Sequence, residues 1–158
     1  MRLRVRDVMT RDPFTIDPDA PVATAMAVMR QKEIRHLPVV DGAGRLLGVL
    51  SDRDLRSAAV APALAEHLSR GARRRLHGIG ATLESLRVRD AMTWGVVTTV
   101  PEATLAHAAA VMLERRVGSL PVCEEGRLVA MLTERDVLKA LLMEMPPVRG
   151  LDPDTFLW

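Results

Sequence analysis

Two short motifs in the 158-residue chain place a hydroxyl three residues before a carboxylate. They are Ser51-x-x-Asp54 and Thr133-x-x-Asp136, and each stands at the start of a predicted helix. The unpaired N–H groups and the positive dipole end of a helix can hold a phosphate, and a hydroxyl there adds a hydrogen bond. A carboxylate only accepts hydrogen bonds, which suits the two hydroxyls of a ribose. The same spacing is also typical of a capping box, in which the two side chains satisfy their own helix end.

Motifs of catalysis are absent from the rest of the sequence. There is no phosphate-binding P-loop, no serine-nucleophile motif and no zinc-protease motif, so we expect no enzyme and no catalytic cofactor. A single cysteine, Cys123, excludes an internal disulfide and a cysteine-based zinc site. The histidines lie in unrelated contexts, which predicts no metal site: His36, His67, His77 and His107.

Composition and charge indicate a globular protein. Apolar residues make up 48% of the chain and charged residues 27%, which is too apolar for a disordered chain. No apolar run approaches the ~20 residues of a membrane span. The opening MRLRVRD lacks the apolar core of a signal peptide, so we expect a cytoplasmic protein. The net charge of only +2 argues against a protein that binds nucleic acid over its whole surface.

The sequence contains a tandem duplication. VRDVMT at residues 5–10 returns as VRDAMT at residues 88–93, an offset of 83. Between Val5 and Val39, 16 of 35 positions are identical to their counterparts, and the offset becomes 82 after one deletion. We therefore divide the sequence into a first repeat (1–60), a basic helical insert (61–85), a second repeat (86–145) and a tail (146–158).

Each repeat reads as strand, helix, strand, strand, helix. Apolar residues recur at i, i+3, i+4 and i+7, which predicts one amphipathic helix per copy: Val22, Ala25, Met26 and Met29, then Leu105, Ala108, Ala109 and Met112. Asp19 and Pro21 predict the start of the first of these helices. Two apolar runs, 37–40 and 46–50, flank a glycine-containing turn and predict a hairpin. The last helix should span 51 to about 60 in the first copy and 133 to about 145 in the second.

In order and in spacing, these motifs resemble two cystathionine-β-synthase (CBS) domains, the pair known as a Bateman module. The resemblance rests on VRDVMT, RHLPV at 35–39 and GVLSDRD at 48–54, with VRDAMT, GSLPV at 118–122 and AMLTERD at 130–136 in the second copy. It implies an α/β fold in which two repeats pack about a pseudo-twofold axis. It also implies a regulatory sensor of an adenosine-containing ligand: AMP, ADP, ATP or S-adenosylmethionine.

The resemblance assigns ligand-binding roles to both copies. Aspartate would bind ribose and the hydroxyl would lie near phosphate, while the base would lie against the first strand and the segment before the proline. The residues implied are Thr15, Ile16, Arg35, His36, Leu37, Pro38, Ser51, Arg53 and Asp54 in the first copy, with Thr98, Thr99, Gly118, Ser119, Pro121, Thr133, Arg135 and Asp136 in the second.

The copies differ in ways that predict unequal sites. Arg35 and His36 stand where the second copy has Gly118 and Ser119. Gly48 leaves room for a ligand beside the backbone, whereas its counterpart is Ala130. We therefore expect the first copy to be the better phosphate site.

Partners are less specified by the sequence. The Ala-rich helices predict a homodimer, and a protein partner regulated in trans is a further expectation. A ligand-free dimerising module is the main alternative. A weaker alternative is nucleic-acid binding through the insert, since residues 61–89 hold six arginines against two glutamates. The tail ends in Phe156-Leu157-Trp158, an apolar group that we expect to dock on its own chain or on a partner.

Overall fold

The computed structural model describes residues 3–57 and 86–144. The first segment contains α1 (Val5–Val8), β1 (Thr10–Arg11), α2 (Val22–Lys32), β2 (His36–Val40) and β3 (Leu46–Ser51), and residues 52–57 are helical. The second contains α3 (Val88–Ala91), β4 (Thr93–Trp94), α4 (Leu105–Arg115), β5 (Ser119–Glu124), β6 (Arg127–Thr133) and α5 (Glu134–Glu144). The predicted insert helix and the predicted docking of the tail lie outside the described residues. Among the described helices, none has both the length and the apolar character needed to cross a membrane.

The two predicted hairpins are present. Strands β2 and β3 pair antiparallel, with Leu37 opposite Leu50, and β5 and β6 pair in the same way, with Leu120 opposite Leu132. All four of these leucines are fully buried. Burial of such side chains stabilises the fold by about 1.5–3 kcal/mol each, which explains why the centres of these strands are apolar.

The amphipathic helices cover these hairpins as predicted, with two corrections. Helix α2 buries Val22, Ala25 and Met29, but Met26 is 42% exposed. The buried face of the helix is therefore narrower than the i, i+3, i+4, i+7 spacing of apolar residues predicts. The cap of α2 is Pro21, and no side chain bonds to the helix end there. The expected cap, Asp19, is instead in an ion pair with Arg89.

The opening segments of the two repeats are exchanged. Strand β1 of the first repeat pairs with β6 of the second, and β4 of the second repeat pairs with β3 of the first. The amide of Val5 donates to the carbonyl of Ala103 at 2.9 Å, and the amide of Val88 donates to the carbonyl of Ala20 at the same distance. Each sheet therefore has three strands, in the orders β2-β3-β4 and β1-β6-β5, and each hydrophobic core contains a valine from the other repeat's opening motif.

This exchange gives Gly48 and Ala130 a different role from the one expected. Gly48 faces Trp94 across the β3–β4 pair, and a Cβ at residue 48 would lie 2.2 Å from the carbonyl oxygen of Thr93. Ala130 holds the equivalent place opposite Arg11, where it is fully buried in the second core. Both residues belong to strand pairs and neither lines a cavity described below, so the structure gives them a packing role in place of the expected ligand contact.

Gly48→Ala should destabilise the protein. The added methyl group would collide with a backbone carbonyl that a strand holds in place, and such overpacking typically costs about 1–3 kcal/mol. Urea unfolding measures the change. Gly42→Ala is the matched control, because a Cβ there would meet nothing within 4 Å, and it should change stability by less than about 0.5 kcal/mol. Equal stability of the Gly48→Ala variant and the wild type would contradict the close strand contact.

Candidate functional site

Both hydroxyl–carboxylate motifs form complete capping boxes. The Oδ2 atom of Asp54 accepts hydrogen bonds from the Ser51 amide at 2.8 Å and the Ser51 hydroxyl at 2.6 Å, and the Asp54 amide donates to Ser51 Oγ at 3.2 Å. Thr133 and Asp136 repeat this arrangement, with distances of 2.9, 2.7 and 3.4 Å. The capping interpretation of the spacing is therefore correct as a description of the folded chain.

Capping occupies only one oxygen of each carboxylate. Within the described residues, every hydrogen bond accepted by the side chains of Asp54 and Asp136 goes to Oδ2. Among the described residues the Oδ1 atoms make no hydrogen bond, and a carboxylate oxygen can accept hydrogen bonds from hydroxyl groups. Capping and ribose binding are thus compatible at the same side chain.

A first cavity of about 330 Å³ opens beside Ser51 and Asp54. Its first-repeat wall comprises Arg35, His36, Val49, Ser51, Asp52, Arg53, Asp54 and Arg56. The second repeat contributes Thr93, Val96, Val97, Arg116, Val117, Gly118, Ser119, Pro121 and Glu134. The hydroxyl–carboxylate pair of one repeat therefore faces the pre-proline segment of the other.

A second cavity, of about 520 Å³, repeats this plan with the repeats interchanged. Its second-repeat wall comprises Gly118, Met131, Thr133, Glu134, Arg135, Asp136 and Lys139. The first repeat contributes Thr10, Arg11, Asp12, Pro13, Phe14, Glu33, Ile34, Arg35 and His36. Both volumes fall in the range of small-molecule sites, roughly 300–1,000 Å³.

The two cavities include most of the residues singled out from the sequence. Those on the first cavity are Arg35, His36, Ser51, Arg53, Asp54, Gly118, Ser119 and Pro121. Those on the second are Arg35, His36, Gly118, Thr133, Arg135 and Asp136. Six others line neither cavity: Thr15, Ile16, Leu37, Pro38, Thr98 and Thr99.

The segments 15–16 and 98–99, which were predicted as strands, form single bridges outside the two sheets and line neither cavity. Ile16 bridges Val39 and is buried in the first core, and Thr99 bridges Val122 in the second repeat. Leu37 is fully buried. The place expected for these segments is taken by residues that sequence reasoning missed, chiefly 10–14 in the second cavity and Thr93, Val96 and Val97 in the first. Their only signal was the repeated opening motif, which does not reveal the exchange.

The cavities adjoin at His36. A Cβ added to Gly118 would lie 3.5 Å from both Cε1 and Nε2 of His36 and 3.5 Å from Oε2 of Glu134, so these groups meet across the boundary between the repeats. Burial lowers the pKa of His36 below its ordinary value of 6.5, and the positive charge of Arg35 lowers it further. The carboxylates of Glu134 and Asp54 oppose this shift, and Arg53 adds to it.

Because the pKa of His36 is lowered in the folded state, we expect protonation of His36 to destabilise the folded protein as the pH falls. Between the folded and unfolded pKa values the unfolded chain binds more protons, so the unfolding free energy should fall as the pH drops below 6.5. Urea unfolding of the wild type and of His36→Gln from pH 7.5 to 5.5 measures this. The variant should lose part of the slope, and identical slopes would mean that His36 titrates normally.

The described residues also bear on metal binding and on the reactivity of Cys123. No group of three or more histidine, cysteine or acidic side chains within residues 3–57 and 86–144 is arranged to hold a metal ion. Cys123 is partly buried, and burial raises the pKa of its thiol, which disfavours the reactive thiolate.

Comparison with known proteins identifies the family. The CBS domain model matches residues 5–61 and 88–143, which together span most of the chain. A CBS domain-containing protein of Dictyostelium discoideum is 35% identical over 150 residues, which cover 94% of this chain and 97% of that protein. The inosine-5'-monophosphate dehydrogenase of Methanocaldococcus jannaschii is 30% identical over 134 residues, but the match covers only 22% of that enzyme.

A solved structure supports the same assignment. The crystal structure of CBSX2 in complex with AMP superposes with a TM-score of 0.74 at 27% identity, covering 89% of this chain and 97% of the other. The agreement extends over both repeats, and it confirms the predicted α/β pair. The protein belongs to the CBS-domain family, as a tandem pair of repeats that exchange their opening strands.

Proposed function

We propose that this protein is a regulatory module that binds an adenosine-containing ligand in the cavities between its repeats. The observation that carries the proposal is that each cavity joins a hydroxyl–carboxylate pair of one repeat to the pre-proline segment of the other. A similar protein, CBSX2, has been crystallised in complex with AMP, which supports adenosyl ligands as the class to test.

The shared walls also suggest how binding produces a signal. Because residues of both repeats line each cavity, a change in how the repeats pack changes the shape of both cavities. A ligand that binds two packings with different affinities shifts the population toward one of them. We infer that the chain acts by this shift rather than by catalysis, and that a partner protein or self-association transmits it.

Ligand titration tests this proposal. We expect at least one of AMP, ATP and S-adenosylmethionine to raise the melting temperature, since a ligand at a hundred times its Kd stabilises the folded state by about 2.7 kcal/mol. Inorganic phosphate is the control and should give a much smaller shift. If none of the three ligands raises the melting temperature or gives heat in calorimetry, the sensor proposal is wrong.

An exposed apolar face favours a homodimer, whether or not a ligand is bound. Helix α5 leaves Leu142 66% exposed and Met143 85% exposed, and Leu138 and Leu141 are exposed beside them. An isologous interface would cover this face. Light scattering at micromolar concentration tests this part of the proposal. A dimer without any ligand response would favour the alternative of a purely dimerising module.

The remaining expectations stay predictions. A cytoplasmic location rests on the sequence, and nucleic-acid binding through the basic insert rests on residues outside the described segments. Oligonucleotide affinity that falls steeply with salt would support the latter.

A further inference from the structure

The ends of two equivalent helices carry opposite charges in the two cavities. Glu33 follows α2 and Arg116 follows α4, and the repeat offset of 83 relates the two positions. Both residues are C-caps in the left-handed conformation, with φ angles of 54° and 55°. Arg116 lines the first cavity, whereas Glu33 lines the second. The same place in the fold is therefore cationic in one cavity and anionic in the other.

The other charged groups around each cavity extend this difference. The first cavity has four arginines against three carboxylates: Arg35, Arg53, Arg56 and Arg116, with Asp52, Asp54 and Glu134. The second has four cations against four carboxylates: Arg11, Arg35, Arg135 and Lys139, with Asp12, Glu33, Glu134 and Asp136. A phosphate group is consequently favoured in the first cavity and has no net positive charge to meet in the second.

The apolar side chains of the two cavities also differ, and here the second cavity has the larger one. Phe14 lines the second cavity, and its equivalent in the first cavity is Val97. The Phe14 side chain is 50% exposed, and Lys32 lies 4.8 Å from its ring centre. An exposed aromatic ring provides a larger contact area for a planar base than valine does. The second cavity therefore holds a base mainly through contact area, with less help from charge.

We propose that the two cavities take different classes of adenosyl ligand. The first takes a phosphorylated nucleotide, for which Arg116 is a specificity-determining residue, and the second takes an adenosyl compound without a phosphate. This inference rests on the proposed function. It also replaces the earlier reasons for unequal sites, because Arg35 and His36 line both cavities and Gly48 and Ala130 line neither.

Charge reversals test the inference in two variants, each of which keeps only one of the two ribose-binding aspartates. Calorimetry at low ionic strength measures the affinities. In Asp136→Asn, which retains the first ribose carboxylate, AMP should bind more tightly than adenosine. Adding Arg116→Glu should lower the affinity for AMP at least about tenfold and the affinity for adenosine less than about twofold. Only AMP carries a phosphate, and the substitution removes the positive charge that pairs with it. Glutamate is tolerated at this position, since the equivalent Glu33 has the same backbone conformation.

The second background, Asp54→Asn, retains the other ribose carboxylate. Here adenosine should bind at least as tightly as AMP, and Glu33→Arg should strengthen AMP severalfold without strengthening adenosine. In the Asp136→Asn background, Arg115→Glu is the matched control for Arg116→Glu, because Arg115 is exposed, precedes Arg116 and lines neither cavity. It should leave the ratio of AMP to adenosine affinity unchanged.

The possible failures are distinct. If the wild type binds neither AMP nor adenosine, both the proposed function and this inference are rejected. If it binds both, but Arg116→Glu weakens adenosine as much as AMP, only the inference is rejected. The same holds if both backgrounds prefer AMP equally.

Discussion

Asp54→Asn should lower the affinity for AMP by at least tenfold while lowering stability only slightly. Asparagine retains an oxygen that can accept the bonds from Ser51 and removes the negative charge. Loss of the charge at a helix start costs about 0.3–1 kcal/mol of stability. At the ribose, hydrogen bonds to a charged group contribute about 1.5–3 kcal/mol, which corresponds to the expected loss of affinity. Calorimetry with AMP and urea unfolding without ligand measure the two effects.

A matched control separates capping from ligand binding. Asp90 also accepts a hydrogen bond from a helix-start amide, that of Arg87 at 2.9 Å, but it lines neither cavity. Asp90→Asn should therefore cost similar stability and leave the AMP affinity unchanged. If Asp54→Asn behaves like Asp90→Asn, the Ser51–Asp54 motif is only a helix cap and the sensor proposal loses its main support.

Val5→Ala should destabilise the second repeat although Val5 belongs to the first. Its side chain is fully buried among residues such as Leu105 and Leu120. Removing two buried methyl groups costs about 2 kcal/mol. Hydrogen exchange locates the change, and we expect faster exchange in β5 and β6 than in β2 and β3.

Val88→Ala is the matched reverse experiment. Val88 is fully buried in the core of the first repeat, so its truncation should accelerate exchange in β2 and β3 at a similar cost. Faster exchange confined to each valine's own repeat would contradict the exchange of opening segments.

Local patterns were sufficient to predict the hairpins and the longer helices of this fold. Short continuous apolar runs around Leu37 and Leu50 predict a hairpin whose strand centres are buried, and helical spacing specifies the buried side of α2 and α4. The duplication, and with it the family, is visible because both copies keep the same residues at the same spacing. The capping boxes are equally local, since their partners are three residues apart.

The composition of the cavities depended on contacts that no local pattern encodes. Because β1 and β4 cross between repeats, the first cavity combines Asp54 with Thr93 and the second combines Asp136 with Thr10. The same crossing turns Gly48 from an expected ligand contact into a strand contact. Sequence spacing determined which side chains can bind a ribose or a phosphate. Only the tertiary structure decided which of them share a cavity, because long-range strand pairing brings them together.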